Sequence, residues 1–401
     1  MKGLFKFLAP FAPDYSGAVS VLFELGGMIV VYDAGGCTGN ICGYDEPRWY
    51  GSKTALLSAG LRDMDAIFGR DDKLIDKIED AINHIDIECR FIAIISTPAP
   101  SVIGTDFKAL ARSLQMHTGL PAFAIETNGM DMYDKGQEKA YLELFERFTS
   151  TTERGAESKT VDIGVIGATP LDMPGLFISS YISDLLRHWG YEHPACYGMG
   201  SGLEHVMNAK DALCNLVVSP SGLKPARLLK EKFGTPYVTG FPLNGTEEAL
   251  RMNIEQSIRR KRGDTGNVYA YDRCKYDYDN DGGGESILII GQQVIANAVR
   301  ESLRSKKSFG SIDVATWFML DNEIAERFDV PLKEEDDLER LIQDRGYKYV
   351  VGDPLFKRAI SGCDLSFYVD MPHYAVSGCL YANSLPDPAS DIFSRIITHS
   401  E

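Results

Sequence analysis

Long apolar runs are missing from this sequence of 401 residues, of which 44% are hydrophobic and 24% are charged. No stretch approaches the roughly eighteen apolar residues that a membrane-spanning helix needs. Pro10 and Pro13 interrupt the apolar segment near the start before it reaches the length of a signal-peptide core. We therefore expect a cytoplasmic protein without a membrane span.

Positive charge is also scarce. The chain has 41 lysines and arginines against 57 aspartates and glutamates, which gives a formal net charge of −16. A phosphate backbone would be repelled, and no basic patch offsets this, so no nucleic-acid partner is expected. Residues 51–54 read Gly-Ser-Lys-Thr, whereas a phosphate loop needs glycine directly before lysine. We expect no nucleotide site of its own.

Cysteines are few and widely spaced. Of the eight in the chain, only Cys37 and Cys42 lie close together. This spread does not indicate a disulfide framework, and thiolate or metal chemistry is the better interpretation of a clustered pair. Cys89 and Cys214 fall in apolar runs of strand length, where a free cysteine usually packs as a small hydrophobic residue.

Short apolar runs alternate with helical patterns along most of the chain. Uniformly apolar runs of this length are typical of parallel strands covered on both faces, and strand–helix–strand repeats predict an α/β fold. The runs cover residues 26–33, 89–97, 161–169, 212–220, 286–293 and 348–354, with a further strand over 121–129. The helical patterns cover residues 52–68, 72–85, 107–119, 175–190, 222–234 and 294–305.

Two polar segments interrupt this alternation, at residues 148–160 and 259–285. They predict three α/β domains, with the first over residues 1–155, the second over 156–262 and the third over 263–365. An acidic, glycine-rich linker is predicted over residues 272–285. We expect the tail, residues 366–401, to pack back on the first domain.

The first apolar run leads into GMIVVYDAGGCTGNICGYDEPRW, residues 27–49. A parallel strand that ends near Asp33 places Cys37 at the carboxyl edge of its sheet, where such sheets build their sites. The adjacent glycines would let backbone amides approach a bulky inorganic sulfide. Two cysteines are too few for an iron-sulfur cluster, which generally needs four ligands, so another segment or subunit would have to supply the rest. The alternative is an ordinary pair of cysteines in a glycine-rich turn.

Several segments, in order, resemble the catalytic-component chains of nitrogenase and nitrogenase-like reductases. That group includes the dark-operative protochlorophyllide reductase and the nickel-sirohydrochlorin reductive cyclase. The resemblance spans nearly the whole chain, through PDYSGAVSVLFELGGMIVVYDAGGC (13–37), ALLSAGLRDMDAIFG (55–69), FIAIISTPAPSVIGTDFKAL (91–110), DIGVIGATPLDMPG (162–175), residues 211–238 and 286–303, and DMPHYAVSGCLY (370–381).

This resemblance implies three Rossmann-like domains with mostly parallel sheets, helices on both faces and a cleft between the domains. It implies pairing as a homodimer or as a pseudo-symmetric heterodimer with a homologous chain, and a cluster at the pairing interface. It also implies electrons from a separate, ATP-hydrolysing iron protein. Cys37 matches the family's cluster cysteine.

The chain departs from the family pattern in three places. Pro98 stands where the family has the cysteine of Ser-Thr-Cys, and Asp33 replaces a histidine. No cysteine precedes Cys37, whereas many family chains carry one near the amino terminus. Cys42 is an additional thiol. We hypothesise that two chains each contribute Cys37 and Cys42 to one [4Fe-4S] cluster, because an isologous interface brings identical turns together.

Asp33 is the fallback ligand, since a carboxylate replaces one thiolate within this family. Gly35, Gly36, Asn40 and Pro98 are expected to line the cluster. The competing hypothesis is a chain that has lost its cluster and serves as a non-catalytic partner subunit or a scaffold for metallocofactor assembly.

The resemblance places the substrate between the three domains. Strand-end residues that face this space are candidates for proton donation or substrate binding, chiefly Glu126 and His373, with Thr127, Asn128 and Tyr374 beside them. The ligands of nitrogenase's iron-molybdenum cofactor have no match in this sequence, so dinitrogen reduction is not inferred. A small-molecule or tetrapyrrole-like substrate is expected.

Overall fold

Strands and helices alternate along the chain in the computed structural model, which describes residues 5–51, 54–68, 71–149, 160–172, 175–261, 285–306, 309–360 and 368–384. The described strands are β1 (Met28–Val31), β2 (Ala55–Ser58), β3 (Ile92–Ile95), β4 (Ala122–Ile125), β5 (Ile163–Ile166), β6 (Pro194–Cys196), β7 (Cys214–Val217), β8 (Tyr237–Thr239), β9 (Ile287–Ile290), β10 (Ile312–Thr316), β11 (Val330–Pro331), β12 (Tyr349–Gly352) and β13 (Tyr368–Asp370).

Helices connect most of these strands. The described α-helices are α1 (Asp14–Leu22), α2 (Gly36–Asn40), α3 (Asp63–Phe68), α4 (Asp71–His84), α5 (Pro98–Val102), α6 (Phe107–Thr118), α7 (Tyr133–Phe148), α8 (Ile178–His188), α9 (Leu203–Met207), α10 (Leu223–Phe233), α11 (Glu247–Lys261), α12 (Gln293–Lys306), α13 (Glu335–Arg345) and α14 (Tyr374–Ser377). A π-helical turn spans Ile41–Asp45, and 3-10 turns span Pro47–Tyr50, Ala209–Asp211, Pro220–Gly222, Pro354–Ala359 and Gly378–Ser384.

The strands form three parallel sheets, with the orders β2-β1-β3-β4, β6-β5-β7-β8 and β11-β10-β9-β12-β13. In each sheet the strand that comes first in the sequence (β1, β5 or β9) is an inner strand. The later strands lie on both sides of it. This winding places helices on both faces and creates a crevice at the carboxyl ends of the strands. The predicted α/β fold is confirmed.

The domain boundaries stay a prediction. Strands β1–β4, β5–β8 and β9–β12 each fall within one predicted domain. β13 belongs to the predicted tail and pairs with β12 in the third sheet, while the Ala375 carbonyl accepts from the Ala12 amide of the first domain. Almost all of the predicted linker over residues 272–285 lies outside the described residues.

The six apolar runs and the strand predicted over 121–129 contain β1, β3, β5, β7, β9, β12 and β4, as expected. The helix predicted over 52–68 is wrong in its first half, which forms β2 before α3 begins. Ala55 and Leu56 have side chains that suit a helix, but they pair in parallel with Met28 and Ile29 of β1 and are buried there. Tertiary pairing has overridden local helix propensity.

Cys214 lies in β7 and is fully buried, as predicted. Cys89 does not lie in a strand, because the exposed Arg90 turns outward to an ion pair with Glu204 at 2.9 Å and β3 begins at Ile92. The Cys89 side chain is half-buried and packs at the edge of the first sheet's core.

Helices α1 and α7 pack with their backbones in contact. A methyl group at Gly17 would lie 1.8 Å from the Tyr133 carbonyl oxygen, and one at Gly136 would lie 1.7 Å from the Asp14 carbonyl oxygen. Only glycine permits this approach, which fixes the position of α1 beside the first sheet. No helix in the described ranges is long and apolar enough to cross a membrane.

We predict that Gly17→Ala lowers the free energy of unfolding by about 3 kcal/mol or more, because the added methyl must push two backbones apart. Urea unfolding followed by circular dichroism measures the change. Gly39→Ala is the control, since a methyl there meets no described atom within 4 Å; it should change the free energy by no more than about 1 kcal/mol. Equal stabilities of Gly17→Ala and the control would contradict the close packing.

Candidate functional site

The cysteine turn, residues 35–46, follows the central strand β1 of the first sheet. Gly35 has a φ of 115°, a left-handed conformation that favours glycine, and α2 begins at the next residue. The Glu46 amide then donates to the Ile41 carbonyl at 2.9 Å, an i to i+5 bond that makes the second half of the turn π-helical. π-helical turns are frequent at functional sites.

Asp33 braces the beginning of this turn. Its Oδ2 accepts from the Thr38 amide at 2.8 Å, and its Oδ1 accepts from the hydroxyls of Ser58 at 2.6 Å and Thr38 at 3.0 Å. The carboxylate is buried, and it also ties β2 to the turn. To bind a metal as the fallback ligand, Asp33 would have to lose some of these hydrogen bonds.

Cys37 and Cys42 are both half-buried free thiols that pack against one hydrophobic cluster. Burial raises the pKa of each thiol, and the Asp33 carboxylate adds to the rise of the pKa in both. Tyr15 of α1 packs against the same hydrophobic cluster. Both thiols therefore lie in surroundings that favour their protonated form.

Three further glycines leave one side of the turn open. Gly36, Gly39 and Gly43 have no described atom within 4 Å of the position that a Cβ would take, and none has a positive φ. Glycine in a helix costs about 1 kcal/mol relative to alanine. Nothing in the described part of the chain requires glycine at these three positions, so they leave room for a surface from outside it.

A buried arginine holds the far end of the turn. Arg48 donates from Nε and Nη2 to the two carboxylate oxygens of Glu46, each at 2.7 Å. Its Nη1 reaches the Gly198 carbonyl in the second sheet's unit at 2.9 Å, and Nη2 reaches the Ser20 carbonyl of α1 at 2.7 Å. Its Nη1 also donates to Oε1 of Glu24 at 3.0 Å. A buried pair with this many partners fixes geometry more than it adds stability.

The residues predicted to line the cluster lie on or beside this turn. The Asn40 side chain donates to Asp45 at 2.6 Å, and Ser16 of α1 donates to the same oxygen at 2.6 Å. Burial raises the pKa of Asp45 to about 6. Pro98 opens α5 after β3, and the preceding Thr97 donates to the Tyr32 carbonyl at 2.7 Å, which holds Pro98 next to the end of β1.

A second group of polar side chains fills the space where strand ends from different sheets meet. This strand-end cluster comprises Tyr133, Asp172, Ser219, Gln292 and His373, all buried. Asp172 is its centre and accepts from the hydroxyls of Tyr133 and Ser219, each at 2.9 Å, and from the Gln292 amide at 3.4 Å. Burial raises the pKa of Asp172 to about 6.

The structure brings one of the two predicted catalytic residues into this cluster. His373 Nε2 lies 3.3 Å from the Tyr133 hydroxyl, and its ring stacks on Phe318 at 4.8 Å. Burial lowers the pKa of His373 to about 3, so the imidazole is neutral. Glu126 lies apart from the cluster, exposed at the end of β4, where its carbonyl accepts from Lys139 at 2.8 Å.

The sequence neighbours of Glu126 and His373 form hydrogen bonds with other parts of the fold. The hydroxyl of Thr127 and the carbonyl of Ser96 bind each other across the ends of β4 and β3. The Asn128 amide donates to Asp14 at 2.8 Å, and the Tyr374 hydroxyl donates to the Tyr44 carbonyl in the cysteine turn at 3.1 Å.

Sequence reasoning missed Arg48, Tyr15 and four of the five members of the strand-end cluster. A usable signal exists for Asp172, Ser219 and Gln292, because each lies at the carboxyl end of a predicted strand run or a few residues after it, at the edge where parallel sheets build sites. Arg48 and Tyr15 give no such signal, since their partners are distant in sequence.

A large groove lies elsewhere, between α10 and α11 on one side and α12 with residues 322–329 on the other, with a volume near 1940 Å³. Some of its charged side chains pair with one another. Arg227 bonds Asp321 and Glu323, each at 2.8 Å, and the buried Arg300 bonds Asp329 at 2.7 Å.

Comparison with known proteins identifies the family. The sequence model for nitrogenase component 1 type oxidoreductases matches residues 13–261. The chain belongs to this family. It is also 25% identical to the nitrogenase iron-molybdenum cofactor biosynthesis protein NifE of Klebsiella pneumoniae over 210 residues, which make up 49% of this chain and 44% of that protein. The match thus spans less than half the length of that relative.

Solved structures of nitrogenase Cp1 share the fold. The structure at pH 6.5 superimposes with a TM-score of 0.64 at 12% identity and covers 100% of this chain and 95% of that one. The structure at pH 5 gives a TM-score of 0.63 at 14% identity, with 99% and 89% covered. At these identities the likeness shows the fold alone.

Members of the nitrogenase component 1 family bind iron-sulfur clusters. Within the described ranges, no group of three or more histidine, cysteine, aspartate or glutamate side chains is placed to hold a metal. A four-thiolate cluster therefore needs ligands from beyond the described residues of one chain.

We predict that Asp172→Asn weakens the pH dependence of stability. Burial raises the pKa of Asp172 from 3.8 to about 6 and that of Asp134, also buried, to about 7. The folded protein therefore holds protons that the unfolded chain has released, so the free energy of unfolding falls as pH rises through these values. We expect the free energy of unfolding of the wild type to fall between about pH 4 and about pH 7, by up to about 1.4 kcal/mol per pH unit for each of these two carboxyls, and that of Asp172→Asn to fall less.

Urea unfolding at a series of pH values measures these slopes. The asparagine retains one side-chain oxygen to accept from Tyr133 and Ser219. Asp184→Asn is the control, since that carboxylate is exposed and pairs only with Arg187 at the surface; it should keep the wild-type slope. Identical slopes in all three proteins would contradict a protonated Asp172.

Proposed function

We propose that this chain is a subunit of a nitrogenase-like reductase that pairs with a second copy of itself. The two copies together hold one [4Fe-4S] cluster on Cys37 and Cys42 of both chains. Electrons arrive from a separate, ATP-hydrolysing iron protein and pass to a small-molecule or tetrapyrrole-like substrate. The observation that carries this proposal is the cysteine turn, which presents two half-buried thiols beside an open, glycine-lined face.

An incomplete set of ligands next to an open face is what a symmetric interface requires. In an isologous pair the same turn of each chain meets its counterpart, so two thiols become four without any new residue. Tyr44 in the turn and Tyr50 just after it have 64% and 84% of their surface exposed. Exposed aromatic side chains of this kind are enriched where protein surfaces meet.

The residues of the turn contribute to cluster binding in different ways. Cys37 and Cys42 bind iron, and the bound cluster supplies one-electron transfer. Asp33 and Arg48 hold the backbone of the turn, so the thiols are positioned before iron is bound. Acidic neighbours and burial disfavour bare thiolates, so iron binding must displace both thiol protons.

A substrate between the three sheets would replace contacts of the strand-end cluster. Within that cluster, Asp172 can give or accept a proton near neutral pH, because burial raises its pKa to about 6. His373 stays neutral there, because burial lowers its pKa to about 3. Tyr133 connects them through its hydroxyl. This arrangement supports proton delivery to a bound substrate.

The second candidate is a scaffold without a cluster of its own that assists the assembly of a metallocofactor. The match to a cofactor biosynthesis protein favours it, as does the proline at position 98. Iron content separates the two candidates, because the scaffold would be isolated without iron bound at Cys37 and Cys42.

We predict that Cys37→Ala and Cys42→Ala each abolish iron binding, because a symmetric cluster loses two ligands with either change. Iron and acid-labile sulfide would be measured on protein purified without oxygen, together with the electron paramagnetic resonance spectrum after reduction by dithionite. The wild type should contain about two irons per chain and show the signal of a reduced cluster.

Cys89→Ala is the matched control for these variants. Its thiol is also half-buried, but it lies before β3, away from the turn, so this variant should keep its iron. Full iron content in Cys42→Ala would contradict the symmetric four-cysteine site. Wild-type protein without iron would favour the scaffold.

We also predict that Gly39→Leu prevents pairing while leaving the subunit folded. The leucine would project into the open side of the turn, where it meets no described atom of its own chain but blocks a second copy. Light scattering measures the mass in solution, and circular dichroism checks the fold. A dimer with full iron content in Gly39→Leu would show that the open face is not the interface.

A further inference from the structure

The strap, residues 5–12, lies across the carboxyl end of the third sheet. The ring centroid of Phe11 lies 5.7 Å from that of Trp317 and 6.0 Å from that of Phe318, two residues that directly follow β10. On the other side it lies 6.1 Å from Phe356, in the 3-10 turn after β12. Because β10 and β12 are the two neighbours of β9, the buried Phe11 packs between strand ends on both sides of β9.

This position is where a doubly wound sheet binds its ligands. The chain passes from β9 to β10 and β11 on one side and then returns to β12 on the other side. The direction of winding therefore reverses beside β9. In open α/β sheets, ligands bind in the crevice outside the strand ends at such a reversal. Phe11 of the strap takes the place that a ligand takes in other sheets of this kind.

The walls around Phe11 are aromatic. Trp317, Phe318 and Phe356 form this aromatic slot, in which the rings of Trp317 and Phe356 lie 4.7 Å apart. Phe318 also stacks on His373 at 4.8 Å, which joins the slot to the strand-end cluster. Flat rings pack well at these distances. A flat aromatic compound is therefore the class of ligand that the slot suits.

The slot also contains an unused hydrogen-bond donor. Trp317 is 7% exposed, and its indole Nε1 has no hydrogen-bond partner among the described residues. An indole N–H only donates, and it usually finds an acceptor when it is buried. A ligand that carries an acceptor atom on its flat ring would satisfy this group, which the Phe11 side chain does not.

One carboxylate holds the first half of the strap. Glu335, at the beginning of α13, accepts from the backbone amides of Lys6 at 2.8 Å, Phe7 at 3.0 Å and Leu8 at 2.7 Å. Within the described residues, the strap belongs to no helix or sheet. Segments without such bonding open at a lower free energy than the whole fold. Release of the strap therefore does not require the third sheet to unfold.

We propose that the aromatic slot is a binding site for a flat aromatic compound with a hydrogen-bond acceptor, and that the strap closes this site. The ligand's ring replaces Phe11, and its acceptor receives the indole hydrogen of Trp317. The inference goes beyond the proposed function, because the slot needs neither a cluster nor electron transfer. Glu335 sets the affinity, since a ligand binds only the fraction of molecules in which the strap is released.

Glu335→Gln tests this inference, because an amide lacks the charge that three backbone amides share. The matched control is Asp336→Asn, which removes a negative charge from the same turn of α13 but breaks only an exposed ion pair with Lys6. The probe is naphthoate, which has flat fused rings and a carboxylate that accepts hydrogen bonds. Calorimetric titration of the full chain measures its affinity, and circular dichroism checks the fold.

We expect Glu335→Gln to bind naphthoate at least about twentyfold more tightly than the wild type, because the strap loses hydrogen bonds to a charged group. Asp336→Asn should differ from the wild type by less than about fivefold, as an exposed ion pair adds little. Phe11→Ala opens the slot without altering Glu335 and should also bind more tightly. Adding Trp317→Phe to Glu335→Gln should weaken binding severalfold, since an aromatic ring stays and the indole hydrogen is lost.

Wild-type affinity in both Glu335→Gln and Phe11→Ala would overturn the inference. If Glu335→Gln does not fold, Phe11→Ala decides alone. An equal gain in Asp336→Asn and Glu335→Gln would also overturn it, because the strap's amide bonds would then not be the cause. Full affinity after Trp317→Phe is added would show that naphthoate binds elsewhere. Iron takes no part in these titrations, so iron-free wild-type protein would contradict the proposed function alone.

Discussion

The candidate site depends on the contact between the backbones of α1 and α7. Gly17 and Gly136 allow each helix to touch the main chain of the other, which leaves α1 no freedom to shift along the first sheet. The cysteine turn then attaches to α1 along its length, since Tyr15 and Cys37 pack against one hydrophobic cluster, Ser16 binds Asp45 and Ser20 binds Arg48. A displacement of α1 would therefore move both thiols.

The two polar regions of the molecule differ in how completely their side chains are paired within the chain. In the strand-end cluster, hydroxyl and amide donors from different sheets converge on Asp172, and the space between strand ends is filled. In the cysteine turn, Asp33 and Arg48 secure the backbone while the thiols face partly outward. The first region joins sheets within one chain, and the second is the one through which we propose that two chains meet.

Sequence patterns predicted the inner strands because parallel strands buried on both faces need continuous apolar runs. They failed at β2, where an edge strand carries helix-forming residues and only pairing with β1 decides the outcome. The position of Cys37 and Cys42 on a turn after a strand was predictable because a strand, a glycine turn and two thiols are adjacent in sequence. The burial of Arg48 was not, because its partners Ser20 and Gly198 lie far along the chain.

The bonds around the cysteine turn also indicate when iron would bind. Small metal-dependent domains fold only as the metal arrives, because the metal supplies their folding energy. Here the turn is closed by the Asp33 cap and by the buried Arg48–Glu46 pair, none of which involves a metal. Under the proposed function, folding of the single chain would therefore not need the cluster. Iron binding would be coupled instead to the meeting of two folded surfaces, and the free energy of the four bonds between iron and cysteine sulfur would contribute to holding them together.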